Sequence, residues 1–249
     1  MIKDEIIQIL EKNGYVMDDN IRERIDTMLQ CLRDENQINH LENIEKWLKR
    51  KREECDMRVK EGGLNELDKW NIEEETNNVK HESGGFFEVI GVNVTKTADR
   101  EVGEKGWSQP IIANNPGGIL GLLMKKINGV PHFLIQAKAE PGNIDKIQLS
   151  PTLQATTSNL LKAHGGKKPI FAEYFDNPQK ENVIYAKWQS EDGGRFYLKS
   201  NFNMIVEINA DEKLDIPDSF IWMTLFQIKQ LIKKENIISP HVRGIISVL

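Results

Sequence analysis

The chain has 249 residues, enough to bury a substantial core in one large domain with an appendage. Its hydrophobic fraction of 39% argues against wholesale disorder, and its net charge of -5 argues against a nucleic-acid partner, which needs a basic surface. Two cysteines are too few for a disulfide framework. The chain shows neither a long apolar run nor a signal-peptide pattern, so we expect a cytoplasmic protein with no membrane partner.

Residues 1–80 are charge-dense, with 14 basic and 20 acidic side chains. Two apolar series recur there at helical spacing: Ile21, Ile25, Met28 and Leu32, and then Leu41, Ile44 and Leu48. This pattern predicts two or three amphipathic helices, whose apolar stripes need a surface, either the following domain or a second copy of the chain. The basic run at 49–52 favours a solvated helix face over a nucleic-acid role.

From about residue 83 onward, short β-rich runs alternate with Gly, Asn and Pro, which predicts an α+β or α/β domain. The predicted strands span residues 85–95, 118–127, 132–139, 169–175, 183–189, 195–199 and 203–208. A helix is predicted over 151–164, with Ser150 as its N-cap and Pro151 at its first position. A second helix is predicted from Thr224, whose spacing to Gln227 fits a capping box.

The segment 132–140 combines an apolar strand face with a chemically reactive one. Alternation separates Phe133, Ile135, Ala137 and Ala139 from His132, Leu134, Gln136, Lys138 and Glu140. The following Glu140-Pro141-Gly142-Asn143 fits a type II turn, which would fix the end of the strand. The pattern is compatible both with a catalytic or binding site on this face and with an ordinary solvent-facing strand.

Three further features are typical of a site for a phosphate-bearing ligand. The predicted helix from Pro151 is rich in hydroxyl and amide side chains, and its N-terminal amides could bind a diphosphate, although a soluble surface helix has the same composition. Arg195 and Lys199 flank aromatic Tyr197, as an exposed basic edge strand also would. The indole ring of Trp107 could stack on a nucleotide base, or it could belong to the hydrophobic core. The histidines and cysteines show no zinc spacing, so no metal is expected.

The stretches 132–143, 148–156 and 158–159 resemble the signature of the NDP-hexose 2,3-dehydratases of deoxysugar biosynthesis. Further matches are His81-Glu82-Ser83-Gly84, Trp107-Ser108-Gln109-Pro110, Glu173-Tyr174-Phe175, Ser190-Glu191 and Trp222-Met223-Thr224-Leu225. The resemblance covers about residues 60–249. It implies a Nudix-like α/β/α sandwich with a mixed β-sheet over 61–249, preceded by a helical segment over 1–60. The glutamate cluster of a Nudix box is missing, so metal-dependent diphosphate hydrolysis is not implied.

The resemblance implies a hydro-lyase that removes water across C2 and C3 of a nucleotide-linked 4-keto-6-deoxyhexose, with a dTDP-sugar as the substrate. No cofactor is needed, because the reaction moves no net electrons. The family usually carries two modules in tandem, so a homodimer is expected to restore the pair. Two alternatives stay open: a non-catalytic nucleotide-sugar-binding or regulatory module, and an isomerase of a related nucleotide sugar.

The resemblance also implies roles for individual residues. Glu140 or His132 would accept the C3 proton, and Lys138 would stabilise the enolate or donate a proton. Gln136, Gln154 and Asn159 would orient the sugar. Arg195, Lys199 and the helix from Pro151 would hold the diphosphate, while Trp107 would stack on the base, thymine by the family's habit. The other expected substrate-binding residues are Gln109, Asn143, Gln148, Ser150, Thr152, Thr156, Ser158, His164, Glu173 and Arg243.

Overall fold

The structure is a computed structural model, and it describes residues 2–36, 38–95, 106–114, 117–156, 160 and 168–249. The α-helices of these residues are α1 (Ile2–Lys12), α2 (Asp19–Gln30), α3 (Leu41–Glu54), α4 (Leu225–Ile232) and α5 (Pro240–Ile246). The strands are β1 (Trp70–Ile72), β2 (Val79–His81), β3 (Glu88–Val94), β4 (Trp107–Ala113), β5 (Gly118–Ile127), β6 (Val130–Ala139), β7 (Ile147–Ser150), β8 (Leu153–Thr156), β9 (Val183–Ser190), β10 (Ser200–Ile208) and β11 (Phe220–Thr224).

The strands form two sheets. The first is antiparallel with the order β1-β2-β3-β4, and the second is mixed with the order β11-β6-β5-β10-β9. In the second sheet β10 pairs with β5 in parallel, whereas its other pairs are antiparallel. The chain is therefore α+β, as its sequence predicts.

A hairpin of β7 and β8 fills a gap in the second sheet. Strands β5 and β6 pair with each other only from Met124 to Ile127 and from Val130 to Phe133. Beyond this stretch they separate, and β8 pairs with β5 while β7 pairs with β6. Strands β7 and β8 therefore supply the backbone hydrogen bonds that β5 and β6 no longer make with each other.

Apolar side chains alternate between the two faces of the second sheet. Leu122 and Ile135 belong to one core cluster, while the neighbouring Leu123 and Leu134 belong to another, and all four are fully buried. Side chains of α3, α4 and α5 complete the first cluster. Phe171 and Phe175, from a short 3-10 segment (Ala172–Phe175) and its N-cap, complete the second.

The predicted elements are confirmed where the apolar pattern is long. Helices occur at α2 and α3, strands occur over 118–127, 132–139, 183–189 and 203–208, and Thr224 caps α4 with the capping box to Gln227. The strand predicted over 85–95 is shorter, as β3. No helix of the described residues is long and apolar enough to cross a membrane.

Three predicted elements are wrong. In place of the start of the helix predicted from Pro151, residues 151–152 form a turn and Leu153–Thr156 form β8. Leu160 is helical, and residues 157–159 and 161–167 lie outside the described residues. Where a strand was predicted over 169–175, residues 170–171 form a turn and Ala172–Phe175 form a 3-10 helix, entered through Phe171 at a φ of 64°. Residues 195–199 form a loop, since only one isolated bridge joins Phe196 to Ile112.

Candidate active site

A cavity of about 630 Å³ opens beside the β7–β8 hairpin, within the usual size range of ligand pockets. It is bordered by the start of β5, the end of β6, β8, the loop between β9 and β10, and the start of α5. Its polar lining residues are Lys138, Glu140, Gln154, Thr156, Glu191, Asp192, Arg195, Lys199, Asn201 and His241. Residues from five separate elements therefore meet at one site.

The first group of polar side chains belongs to β6 and β8. Lys138 Nζ lies 3.1 Å from Glu140 Oε1, and Gln154 Nε2 donates to the same oxygen at 3.0 Å. The side chains of Lys138 and Glu140 are only 25% and 38% exposed, so this ion pair lies within the cavity rather than in bulk solvent. Gln154 Oε1 is buried and accepts no hydrogen bond from the described residues.

The second group comes from the loop between β9 and β10. The amide of Glu191 donates to Lys199 O at 3.0 Å and closes the loop. Asn201 Nδ2 donates to Glu191 Oε1, and Asn201 Oδ1 accepts from the amide of Gly118 at 3.1 Å. Burial lowers the pKa of Lys199, while the nearby Glu191 carboxylate opposes the shift. A ligand anion beside Lys199 would restore the stability of its charged form.

Strand β4 of the first sheet supports this loop from outside the cavity. The amide of Ile112 donates to Arg195 O at 2.9 Å, and that of Tyr197 donates to Ile112 O at 2.8 Å. Gln109 Nε2 donates to Gly194 O at 2.8 Å, and Trp107 Nε1 donates to Gln109 Oε1 at 2.7 Å. Gln109 and Trp107 thus hold the loop that carries Arg195.

The third contribution to the polar lining of the cavity is His241, the second residue of α5. Burial is the largest effect on its imidazole and lowers its pKa, whereas the carboxylates of Glu191 and Glu140 raise it and the ammonium groups of Lys138 and Lys199 lower it. These four groups therefore all act on one imidazole. Among the described residues, no group of His, Cys, Asp and Glu side chains has the arrangement of a metal site.

Comparison with known proteins shows the family of the chain. A family model described as NDP-hexose 2,3-dehydratase matches residues 41–249. The chain belongs to the NDP-hexose 2,3-dehydratase family. A relative from Amycolatopsis orientalis is 42% identical over 211 residues, covering 84% of this chain and 44% of the relative. A relative from Saccharopolyspora spinosa is 41% identical over 181 residues, covering 73% of this chain and 36% of the relative.

A third relative, from Streptomyces violaceoruber, is 34% identical and covers 76% of this chain and 42% of its own length. All three are named dTDP-4-dehydro-6-deoxy-alpha-D-glucopyranose 2,3-dehydratase. The chain spans less than half the length of these curated relatives. Among solved structures, an Ap4A hydrolase from C. elegans is 13% identical and covers 53% of this chain and 94% of its own, with a TM-score of 0.30.

Six of the residues that the sequence analysis assigns to the site line the cavity. They are Lys138, Glu140, Gln154, Thr156, Arg195 and Lys199. Arg195 lies at its rim, with its side chain 79% exposed and Nε 3.7 Å from Asp192 Oδ2. The helix N-terminus that was expected to bind a diphosphate is absent, because Pro151 lies in the turn between β7 and β8.

His132 requires a correction. It lies on β6 six residues before Lys138, so the two residues are roughly 20 Å apart in an extended strand. Its side chain is fully buried, and Nδ1 lies 2.7 Å from Val130 O. His132 cannot accept a proton in this cavity, because neither its position nor its burial gives it access to a ligand there.

Three expected substrate contacts instead serve the backbone or the core. Thr152 Oγ1 donates to Leu134 O and accepts from the amide of Leu123 at 2.9 Å. Asn143 Nδ2 donates to Lys146 O at 3.0 Å. The backbone amide of Asn143 donates to Glu140 O at 3.1 Å, which closes the predicted turn. That turn is not of type II, because Gly142 has no positive φ. Ser150 is buried opposite Gln136.

Other expected contacts lie away from the cavity lining. Gln148 pairs with Lys138 across β7 and β6, next to the site but not in its wall. Glu173 is exposed on the 3-10 segment, and Arg243 is exposed on α5. The lining also does not include Gln136, Trp107 or Gln109. Ser158, Asn159 and His164 lie outside the described residues.

The sequence interpretation missed four polar lining residues: Glu191, Asp192, Asn201 and His241. Glu191 and His241 lie 50 residues apart in the sequence, and no local spacing connects either with Lys138. A signal was present in the resemblance, since Ser190-Glu191 is one of the matching stretches. It identified the stretch but not its place beside the reactive strand.

Proposed function

We propose that the chain is a nucleotide-sugar 2,3-dehydratase, a hydro-lyase that removes water across C2 and C3 of a dTDP-4-keto-6-deoxyhexose. The observation that carries the proposal is the cluster of Lys138, Glu140 and Gln154 inside one cavity with two further cations, Arg195 and Lys199. The shared name of the three relatives supports the same substrate.

The cations divide between the two ends of such a substrate. Arg195 at the rim and Lys199 deeper in the cavity suit a diphosphate, since guanidinium and ammonium groups are the usual partners of phosphate oxygens. The lowered pKa of Lys199 supports this role, because an anion beside a partly desolvated ammonium group stabilises its charged form. The diphosphate would then direct the hexose toward Lys138 and Glu140.

Lys138 supplies the positive charge that the reaction needs at the hexose. Removal of the C3 proton, which the C4 ketone acidifies, leaves an enolate, and an ammonium group placed at its oxygen lowers the energy of that state. Glu140 and Gln154 hold Lys138 and one another in place. Loss of the C2 hydroxyl then gives an enol that relaxes to a 3,4-diketo sugar.

Turnover of dTDP-4-keto-6-deoxyglucose by the full chain tests the proposal, with mass spectrometry measuring the loss of one water. We expect Lys138→Ala to lose about 10²-fold or more in kcat, because it removes the charge opposite the enolate. Glu140→Ala is expected to lose activity as well, because it frees Lys138 and Gln154 from their common partner.

A matched control uses the ion pair of Lys126 and Glu207, which lies outside the cavity with the same separation of 3.1 Å. Lys126→Ala and Glu207→Ala should retain wild-type turnover. Wild-type rates in both Lys138→Ala and Glu140→Ala would contradict the assignment of the site. Binding of the sugar by the wild-type chain without loss of water would instead support a nucleotide-sugar-binding module.

We also propose that two copies of the chain form a homodimer. Met28, Leu32, Ile184 and Val248 are exposed and line one surface cavity of about 530 Å³ between α2 and the C-terminus. Apolar side chains grouped in this way are typical of a protein interface. Light scattering should give the mass of a dimer, and Leu32→Glu should give a monomer. A monomeric wild-type chain would contradict this proposal.

A further inference from the structure

His241 lies between two adjacent cavities. The cavity of about 630 Å³ and a neighbouring one of about 300 Å³ share Leu120, Glu191, Asn201, Pro240 and His241 in their walls. Glu191 and His241 are the titratable groups common to both. A ligand in either cavity would therefore lie beside the imidazole.

The start of α5 is attached firmly to the sheet, so the imidazole is well positioned. The amide of Ser239, the N-cap of α5, donates to Leu149 O at 2.9 Å, and the amide of Leu149 donates to Ile237 O at 2.8 Å. Val242 and Ile245, on the inner side of the helix, are fully buried. Positioning on a packed element is what a proton-transfer group requires.

The imidazole is also free to react, in contrast to the two carboxylates beside it. Glu140 Oε1 already accepts from Gln154 and pairs with Lys138, and Glu191 Oε1 accepts from Asn201. A proton on either carboxylate would weaken these contacts. No hydrogen bond holds the His241 ring among the residues that the structure describes, so a proton gained there breaks none of them.

We propose that His241 is the group that moves the proton in this elimination, an inference that rests on the proposed dehydratase function. The neutral imidazole takes the C3 proton, and the electron pair of the broken C3–H bond enters the enolate beside Lys138. When the C4 ketone re-forms, that pair becomes the C2=C3 bond and the C2–O bond breaks. The imidazolium returns its proton to the departing oxygen, which leaves as water.

The charges around the ring suit a shuttle of this kind. Burial keeps the pKa of His241 below its usual 6.5, so the ring is neutral and ready to accept a proton near pH 7. Glu191 and Glu140 then face the imidazolium that forms, while Lys138, Lys199 and the rim residues Asp192 and Arg195 complete the charged groups described at the cavity. The shuttle starts and ends neutral, so no external acid or base is consumed.

The direction in which kcat/KM changes with pH follows from the neutral resting state of the His241 imidazole. Since the protonated ring cannot accept the C3 proton, kcat/KM of the wild-type chain should fall as the pH drops through the lowered pKa of His241. We expect this acid limb at a pH below 6.5, and its loss in a His241→Asn variant. A wild-type profile that shows no acid limb at any pH at which the chain stays folded would overturn the inference.

The direct experiment compares His241→Asn with the wild-type chain. We expect a loss of about 10²–10⁴-fold in kcat with little change in KM, because proton transfer and not binding is removed. Exchange of the C3 hydrogen in deuterated water, followed by NMR, should slow to the same extent. His40→Asn is the matched control, since His40 is exposed at the N-cap of α3 and asparagine suits that position.

The possible outcomes separate this inference from the proposed function. An active wild-type chain with an equally active His241→Asn variant overturns the role of His241 alone. A wild-type chain that releases no water overturns the dehydratase function and the shuttle together. Should His241→Asn fail to fold, as judged by circular dichroism, the pH profile of the wild-type chain decides the question without any substitution.

Discussion

Thr152 illustrates, for a single residue, how a polar side chain in a family signature can serve the sheet rather than the substrate. Thr152 is 2% exposed. Its hydroxyl bridges β5 and β6 at the point where the strands separate, because it accepts from the Leu123 amide and donates to Leu134 O. Buried backbone groups must be paired, and at this position neither neighbouring strand supplies a partner. The hydroxyl therefore replaces the missing ladder bonds.

Replacement of Thr152 should affect stability rather than substrate binding. We expect Thr152→Val to lower the free energy of unfolding by about 1–3 kcal/mol, because the buried Leu123 amide loses its acceptor. Urea denaturation followed by circular dichroism measures this change. The KM of the folded variant for the nucleotide sugar should stay at the wild-type value, since the hydroxyl faces two strands.

Thr152→Ser provides the control, because serine keeps the hydroxyl and removes only a methyl group. It should destabilise the chain less than Thr152→Val. The opposite result, an unchanged stability with a raised KM in Thr152→Val, would return Thr152 to the substrate site.

At the level of elements, sequence patterns predict the positions of helices and strands accurately where one element buries a long stretch of its own side chains. β5 and β10 carry continuous apolar runs, and α4 carries both a capping box and an apolar stripe, so their positions were predictable. The alternation of β6 was predictable too. The burial of its second face was not, because Leu134 is covered by residues distant in sequence, including Phe220 and Trp222.

The β7–β8 hairpin shows why a local signal can fail. Ser150-Pro151 has the residues of a helix start, yet both Leu149 and Leu153 are buried in strands on either side of it. What decides the structure is the gap between β5 and β6, whose free backbone groups pair with the hairpin. A single sequence does not reveal such a gap, so tertiary pairing overrides the capping signal.

The same limit applies to the candidate site. Lys138 and Glu140 were predictable because they end one reactive strand, and Gln154 because it belongs to the adjoining signature. His241 was not, because tertiary contacts bring α5 to the cavity, among them the hydrogen bond from the Ser239 amide to Leu149 O. Chemistry shared by distant elements requires the fold before it becomes visible.

In the whole molecule, the helix α3 is part of the same core as the sheet. Ile44 is fully buried and Leu48 is 3% exposed, and both pack in one cluster with Ile135 and Ile228. The basic run at 49–52 adds ion pairs between elements, since Arg50 donates to both carboxylate oxygens of Asp218, at 2.9 and 2.8 Å. The run thus binds α3 to the segment before β11.

A buried polar network attaches the segment before α3 in the same way. Gln227 of α4 is fully buried, and its Nε2 donates to Asp34 Oδ2 at 3.0 Å and to Asn39 O at 2.7 Å. Asn36 Nδ2 donates in turn to Gln227 Oε1 at 2.8 Å. Since these groups satisfy one another only when both segments are in place, they make folding of the N-terminal third and the sheet interdependent.

This interdependence predicts the outcome of a substitution in α3. Ile44→Ala should lower the free energy of unfolding of the entire chain by about 2–5 kcal/mol, because it leaves a cavity beneath the sheet. Urea denaturation should show one transition by both tryptophan fluorescence and circular dichroism. Ile9→Ala, on the exposed side of α1, is the control and should stay within about 0.5 kcal/mol of the wild-type chain. Two separate transitions, with only the first moved by Ile44→Ala, would instead make α3 part of an independent N-terminal domain.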